Sequence, residues 1–206
     1  MSKVKICGLR RPEDIKAVNR VLPDFIGFVF APSKRKVEAK TAAMLKELLD
    51  PRIKAVGVFV NENIDVVSAL YLNHSVDFIQ LHGDEDGAYI LRLKEKCGCP
   101  VIKAVSVGDS LPPLPAEADY LLFDTFSARR GGTGRAFDWN ILKHYRGLPY
   151  FLAGGLSPDN ISDVFERLSP FCVDVSSGVE TDGLKDMEKI EKFVRLVRRP
   201  ARSLPP

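Results

Sequence analysis

In this 206-residue chain a thiol, a guanidinium, an imidazole and two carboxylates stand within or just beyond short apolar runs. Cys7 closes Lys3–Cys7 directly before Gly8, and Asp124 closes Tyr120-Leu121-Leu122-Phe123-Asp124. His82 follows Gln80-Leu81, Asp174 lies within Cys172–Ser176, and Arg35 stands in the basic stretch Ser33-Lys34-Arg35-Lys36. An acid ending so apolar a run is paired or functional, because burying it alone is costly. Such an acid suits proton donation, and a thiol needs local help to be a thiolate at neutral pH. An arginine fork suits a carboxylate ligand, so Arg35 is the candidate of its stretch, while Lys34 and Lys36 read as solvated. Taken singly, each has a plainer counterpart: Cys7 a small buried hydrophobe, Asp124 a helix cap or half of an ion pair.

Two glycine-bearing segments add an anion site. Ala153-Gly154-Gly155-Leu156 and Ser176-Ser177-Gly178-Val179 let backbone N–H groups approach a ligand closely, and a short helix start adds positive potential. As a pair they make Gly154, Gly155, Ser177 and Gly178 the phosphate-binding candidates; either alone is only a turn. The Gly-rich basic stretch 127–137 reads as a mobile lid or as a plain connector. It is not a Walker loop. No dinucleotide fingerprint follows the first run, and the elbow motif of a Ser–His–Asp hydrolase is absent. No metal is expected, since His74 and His144 fall on helical stretches and His82 has no second ligand at useful spacing. Cys97, Cys99 and Cys172 read as structural.

These residues need elements to hold them, and the chain supplies one rhythm. Eight short apolar runs recur at Lys3–Cys7, Phe25–Phe30, Lys54–Val60, Phe78–His82, Val101–Val107, Tyr120–Thr125, Tyr150–Gly154 and Cys172–Ser176. Helix-period stretches are expected at 11–21, 38–49, 63–73, 86–96, 137–145, 158–168 and 186–199. Ser157-Pro158-Asp159-Asn160 reads as a cap with proline in the first helical position. In the last stretch Ile190, Phe193, Val194 and Val197 form one buried stripe. Strands separated by helices pair in parallel through right-handed crossovers, and near-continuous apolar runs suit strands covered on both faces. Eight such units predict an α/β fold, a compact single-domain (β/α)₈ barrel, with an open doubly wound sheet as the other topology. Three prolines in residues 108–117 exclude a regular helix there, so a Pro-rich loop replaces the fifth helix. In such a barrel the residues named above converge on the rim formed by the C-terminal strand ends.

Composition narrows the class. The chain is 45% apolar and 28% charged, which excludes disorder, collagen and coiled coil. The net charge is +3, but residues 195–206 hold four arginines and no acid. The rest is therefore near neutral, which argues against a nucleic-acid surface. The longest apolar run is far short of a membrane span. The charged N-terminus lacks a signal-peptide core, and four cysteines without a disulfide framework suit a reducing compartment. The expectation is a cytoplasmic protein, monomer or homodimer, with a barrel at 1–199 and a disordered tail at 200–206.

Several segments, in order from residue 3 to about 198, resemble phosphoribosylanthranilate isomerase. They are Lys5-Ile6-Cys7-Gly8, Ser33-Lys34-Arg35, Gln80-Leu81-His82-Gly83, Phe123-Asp124-Thr125, Gly131-Gly132-Thr133-Gly134 with Phe137-Asp138-Trp139, Ala153-Gly154-Gly155-Leu156, and Val173-Asp174-Val175-Ser176-Ser177-Gly178-Val179-Glu180. The resemblance implies an Amadori rearrangement, the third step of tryptophan synthesis from chorismate. In it N-(5-phosphoribosyl)anthranilate becomes 1-(2-carboxyphenylamino)-1-deoxyribulose 5-phosphate. It implies Cys7 as base and Asp124 as acid. Arg35 and Asp174, with His82 nearby, would position the anthranilate end, and Gly154, Gly155, Ser177 and Gly178 would hold the phosphate. No metal or redox cofactor is implied, and the partner is the small phosphosugar-anthranilate substrate. The alternatives are the histidine-pathway aminoaldose isomerase, whose family carries an Asp where this chain has Cys7, and a phosphate-ligand binding barrel without catalysis. A metal-dependent phosphosugar epimerase would need His and Asp clusters that the sequence lacks.

Overall fold

The structure is a computed structural model that describes residues 1–125 and 137–198. Eight strands form a closed barrel: β1 (Lys3–Cys7), β2 (Phe25–Val29), β3 (Lys54–Phe59), β4 (Phe78–Leu81), β5 (Val101–Val107), β6 (Tyr120–Thr125), β7 (Tyr150–Leu152) and β8 (Cys172–Val175). Every neighbouring pair is parallel, including β8 with β1, so all C-terminal ends meet on one rim. Helices α1 (Pro12–Val21), α2 (Ala39–Glu47), α3 (Ile64–Leu72) and α4 (Gly87–Cys97) follow the first four strands. After the last two strands come α5 (Ile161–Arg167) and α6 (Met187–Val197). The barrel expected from the sequence is the barrel observed.

Side chains alternate across a strand, and that alternation sorts the core into two layers. Phe25, Val56, Ile102, Leu122, Phe151 and Cys172 fill the inside of the barrel. Val4, Ile6, Phe123 and Val173 face outward, into the layer between sheet and helices. Lys5 and Cys7 alternate with Val4 and Ile6, so they point inward. Asp124 shares its face with Leu122, Asp174 with Cys172, and Gln80 and His82 with Phe78. The stripe Ile190, Phe193, Val194 and Val197 of α6 is buried as its spacing requires, and α6 packs beside β1 and α1.

Local chemistry starts the helices. Pro12 opens α1, and Asp14 accepts the N–H groups of Arg10 and Arg11 at 2.9 and 3.1 Å. Asp86 caps α4 by accepting the Tyr89 N–H at 2.8 Å, and Gly98 ends it in the left-handed conformation. No helix separates β5 from β6, in keeping with the three prolines.

Two helical expectations need correction. The stretch 137–145 forms only a 3₁₀ turn at Trp139–Leu142, its N–H groups bonding three residues back, Ile141 to Asp138 and Lys143 to Asn140. The stretch 158–168 is helical only from Ile161. Asn160 folds back instead, accepting the Ser157 N–H and donating to the Gly155 carbonyl, which holds 157–160 as a turn. One element was not anticipated: the antiparallel hairpin β9 (Glu180–Thr181) and β10 (Leu184–Lys185). Its turn residues Asp182 and Gly183 both have positive φ, 52° and 74°, as an Asp-Gly hairpin turn requires. The basic stretch expected to act as a lid falls almost wholly outside the described residues, and the tail 200–206 lies entirely outside them. Among the described residues, no helix is long and apolar enough to cross a membrane.

Candidate active site

At the rim, strand register sets the neighbours. Lys5 pairs with Asp174 across β1 and β8, and Cys7 pairs with Gly27 across β1 and β2. Lys5 is wholly buried, and its Nζ donates to Asp174 Oδ2 at 2.7 Å. A buried ammonium is tolerated only with such a partner. Burial works against its charge, yet Asp174 and then Cys7 outweigh that and hold it above the ordinary lysine value. Asp174 Oδ1 is buried with no hydrogen-bond partner among the described residues. A side chain at Gly27 would meet Cys7 Sγ at 2.6 Å, so the thiol rests against bare backbone. Burial pushes the Cys7 thiol up; Lys5 and Lys185 pull it down, and Asp174 works with the burial.

Across the mouth, His82 stands between two polar groups. Gln80 Nε2 lies 3.0 Å from His82 Nδ1, and His82 Nε2 lies 3.5 Å from Asp124 Oδ2. Donation from Gln80 to Nδ1 leaves the proton of a neutral imidazole on Nε2, facing Asp124. Asp124 is half-buried, and its Oδ1 accepts the Thr125 N–H at 2.7 Å. The turn carrying His82 is clamped from outside the barrel. Lys103 Nζ donates to the Gly83 carbonyl at 2.7 Å and to Glu85 Oε2 at 3.0 Å, while Glu85 accepts the N–H groups of Asn61 and Gly83.

Arg35 meets a carboxylate, but one from its own chain. Its Nε and Nη2 donate to Glu180 Oε1 and Oε2 at 2.7 and 2.8 Å, a bidentate pair. Lys185 adds a 2.7 Å bond to Glu180 Oε1 and another to the Ser176 carbonyl at 2.9 Å. Burial pushes the Glu180 carboxyl up, but its bonds from Arg35 and Lys185 outweigh that and hold it at about 2. Ser176 Oγ donates to the Cys7 carbonyl at 3.1 Å, which ties the end of β8 to the end of β1.

The glycine segments lie together on the adjacent part of the rim. Gly154 and Gly155 follow β7 after Ala153, both with positive φ, and Ser177 and Gly178 open a 3₁₀ turn after β8. A Cβ at Gly178 would lie 1.9 Å from the Leu156 carbonyl oxygen, so the two loops touch. The structure thus brings Cys7, Asp174, Arg35, His82, Asp124 and the four phosphate candidates to one mouth. Sequence reasoning passed over Lys5, Lys103, Glu85, Glu180 and Lys185. A lysine inside Val4-Lys5-Ile6 and another inside Ile102-Lys103-Ala104 were the available signals, since a charge within a buried strand needs a partner.

The geometry sets a carboxyl on one wall of the mouth and a thiol on the other, beside two touching glycine loops. A family model for N-(5'phosphoribosyl)anthranilate (PRA) isomerase matches residues 4–196. The chain belongs to that family. The phosphoribosylanthranilate isomerase resemblance read from the motifs is therefore borne out. The N-(5'-phosphoribosyl)anthranilate isomerase of Endomicrobium trichonymphae is 51% identical over 199 residues, 96% of this chain and 99% of that one. The phosphoribosyl anthranilate isomerase of Thermotoga maritima has a similar solved structure, with TM-score 0.85, 34% identity, and 96% and 99% of the two chains covered. Another similar phosphoribosyl anthranilate isomerase was solved in complex with reduced 1-(o-carboxyphenylamino)-1-deoxyribulose 5-phosphate. It has TM-score 0.81, 32% identity and the same coverage.

Proposed function

We propose that this chain catalyses the Amadori rearrangement of N-(5-phosphoribosyl)anthranilate to 1-(2-carboxyphenylamino)-1-deoxyribulose 5-phosphate in tryptophan biosynthesis, acting in the cytoplasm. One observation carries the reading: in a chain of this family, a thiol and a carboxyl share the inner face of one barrel mouth, on well-separated strands. Asp124 protonates the ribose ring oxygen. The bond from that oxygen to carbon 1 breaks as the amine lone pair forms the iminium. Cys7, as thiolate, takes the carbon-2 proton; the C–H electrons form the C=C bond and the C=N electrons return to nitrogen. The enol-amine then tautomerises to the ketone. Each proton-transfer group contributes about 10²–10⁴-fold.

The remaining assignments follow from what each group has left to offer. Glu180 fixes the plane of Arg35, whose other N–H groups are directed to the anthranilate carboxylate. Asp174 Oδ1, buried and without a partner among the described residues, accepts from the anthranilate amine. His82 donates to Asp124 once that acid has lost its proton. The touching loops at Gly154, Gly155, Ser177 and Gly178 take the phosphate. Residues 1–199 are the catalytic unit.

The test is a side-by-side assay of the purified protein with freshly made N-(5-phosphoribosyl)anthranilate and with the histidine-pathway aminoaldose. Turnover of the first, followed by its anthranilate fluorescence, is expected to exceed that of the second by orders of magnitude. No turnover of the first removes the proposal, and preference for the second replaces it with the rival isomerase.

A further inference from the structure

The mechanism needs a thiolate, yet Cys7 sits where burial favours the thiol. The groups around it decide which form prevails. On its own strand β1, Lys5 lies two residues earlier and therefore on the same inward face. From β2 comes only Gly27, with no side chain and no charge. The loop after β2 brings Arg35, β8 brings Asp174, and the hairpin brings Lys185 and Glu180. His82 and Asp124 act on this group through Asp174 from the far wall.

These charges are not equivalent. Arg35 and Lys185 are both bonded to Glu180, so their positive charge is largely answered there. Lys5 is shared differently. Its Nζ bonds one oxygen of Asp174 at 2.7 Å and lies on the same inner face of β1 as Cys7, whose thiol it pulls toward the thiolate. It is sealed from water, so its pull on the thiol is little screened. An ammonium has three donors, enough to hold a carboxylate and a thiolate together.

We propose that the Lys5 ammonium is the counter-ion of the Cys7 thiolate, a positioning residue that keeps the base ready without itself touching substrate. Asp174 anchors Lys5 from the opposite side and keeps it protonated inside the barrel. When Cys7 takes the carbon-2 proton it becomes neutral, and Lys5 remains paired with Asp174. The ion pair at the barrel axis is thus part of the base. This inference rests on the isomerase reading for its role in turnover, but not for its test.

The test is the pH profile of Cys7 alkylation by iodoacetamide, read by mass spectrometry on the Cys7 peptide, with circular dichroism as the check on folding. An opposite charge at this range moves a titration by about 1–3 pH units. In Lys5→Met the rising limb should move to higher pH, and alkylation at pH 8 should fall at least ~10-fold. Lys5→Arg, which keeps the charge, should recover most of it. A folded Lys5→Met with the wild-type profile overturns the proposal. Because Lys5→Met strands the Asp174 carboxylate, a second comparison avoids that orphan. The double variant Lys5→Met/Asp174→Asn should show its limb at higher pH than Lys5→Arg/Asp174→Asn, whose guanidinium keeps its charge without Asp174, and coincident limbs overturn the proposal. Wild-type protein that alkylates as expected but turns over no phosphoribosylanthranilate would sink the isomerase reading and leave the counter-ion standing.

Discussion

Glu180 illustrates how a single residue can serve a site without entering the chemistry. It holds Arg35 by two bonds and Lys185 by one, and its carboxyl stays at about 2, against an ordinary 4.5. A folded-state value below the unfolded one stabilises above pH ~4.5, and that stability is lost as pH falls toward 2. Urea midpoints of the wild type should therefore drop between pH 5 and pH 2. Glu180→Gln should be less stable at pH 7 by about 2–3 kcal/mol, since two cations lose their shared partner. It should also show a flatter acid limb. A variant with the wild-type acid limb would mean that Glu180 contributes nothing to that pH dependence. The same substitution frees the Arg35 fork, so the anthranilate end should bind in altered geometry and KM should change more than the stability loss explains.

At the level of elements, the loops that carry the site are fixed by ion pairs in the strands beneath them. Lys103 of β5 clamps the Gly83 turn and pairs with Glu85, both largely buried. Lys103→Met leaves Glu85 without its cation and should cost about 3–5 kcal/mol, read as a lower urea midpoint. It should also loosen His82 and lower kcat; an unchanged kcat in the folded variant would mean the clamp does not position His82. The sequence made the strands legible because each lies within an apolar run of five to seven residues bounded by turn residues, and periodicity placed α6 by its stripe. It made the site legible because Cys7, His82, Asp124 and Asp174 fall at or near strand ends, where parallel closure brings them together. The failures share one cause. Helix starts at 137 and 158 were read from spacing and a cap pattern, whereas Asn160 bonds back to Ser157 and Phe137 bonds to Thr125 at the end of β6. The hairpin carrying Glu180 and Lys185 was marked only by Asp182-Gly183, and the Arg35–Glu180 pair spans 145 residues, beyond the reach of any local pattern.

The whole molecule is a shell built to hold polar groups inside an apolar barrel. Aromatic rings fill the N-terminal half of the interior, with Phe25, Phe78, Tyr120 and Phe151 in mutual contact. Above them the interior turns polar, first at Lys5, Asp174 and Gln80, then at Cys7, His82 and Asp124. This gradient places the acid and base at the mouth and their supporting groups one layer down. The central claim is that Cys7 and Asp124 divide the proton transfers between them. The most direct test is kcat for phosphoribosylanthranilate in wild type, Cys7→Ser and Asp124→Asn, with folding checked for each. Both single variants should lose at least ~10²-fold in kcat with little change in KM. Full activity in either folded variant would contradict the assignment of that residue, and full activity in both would remove the mechanism.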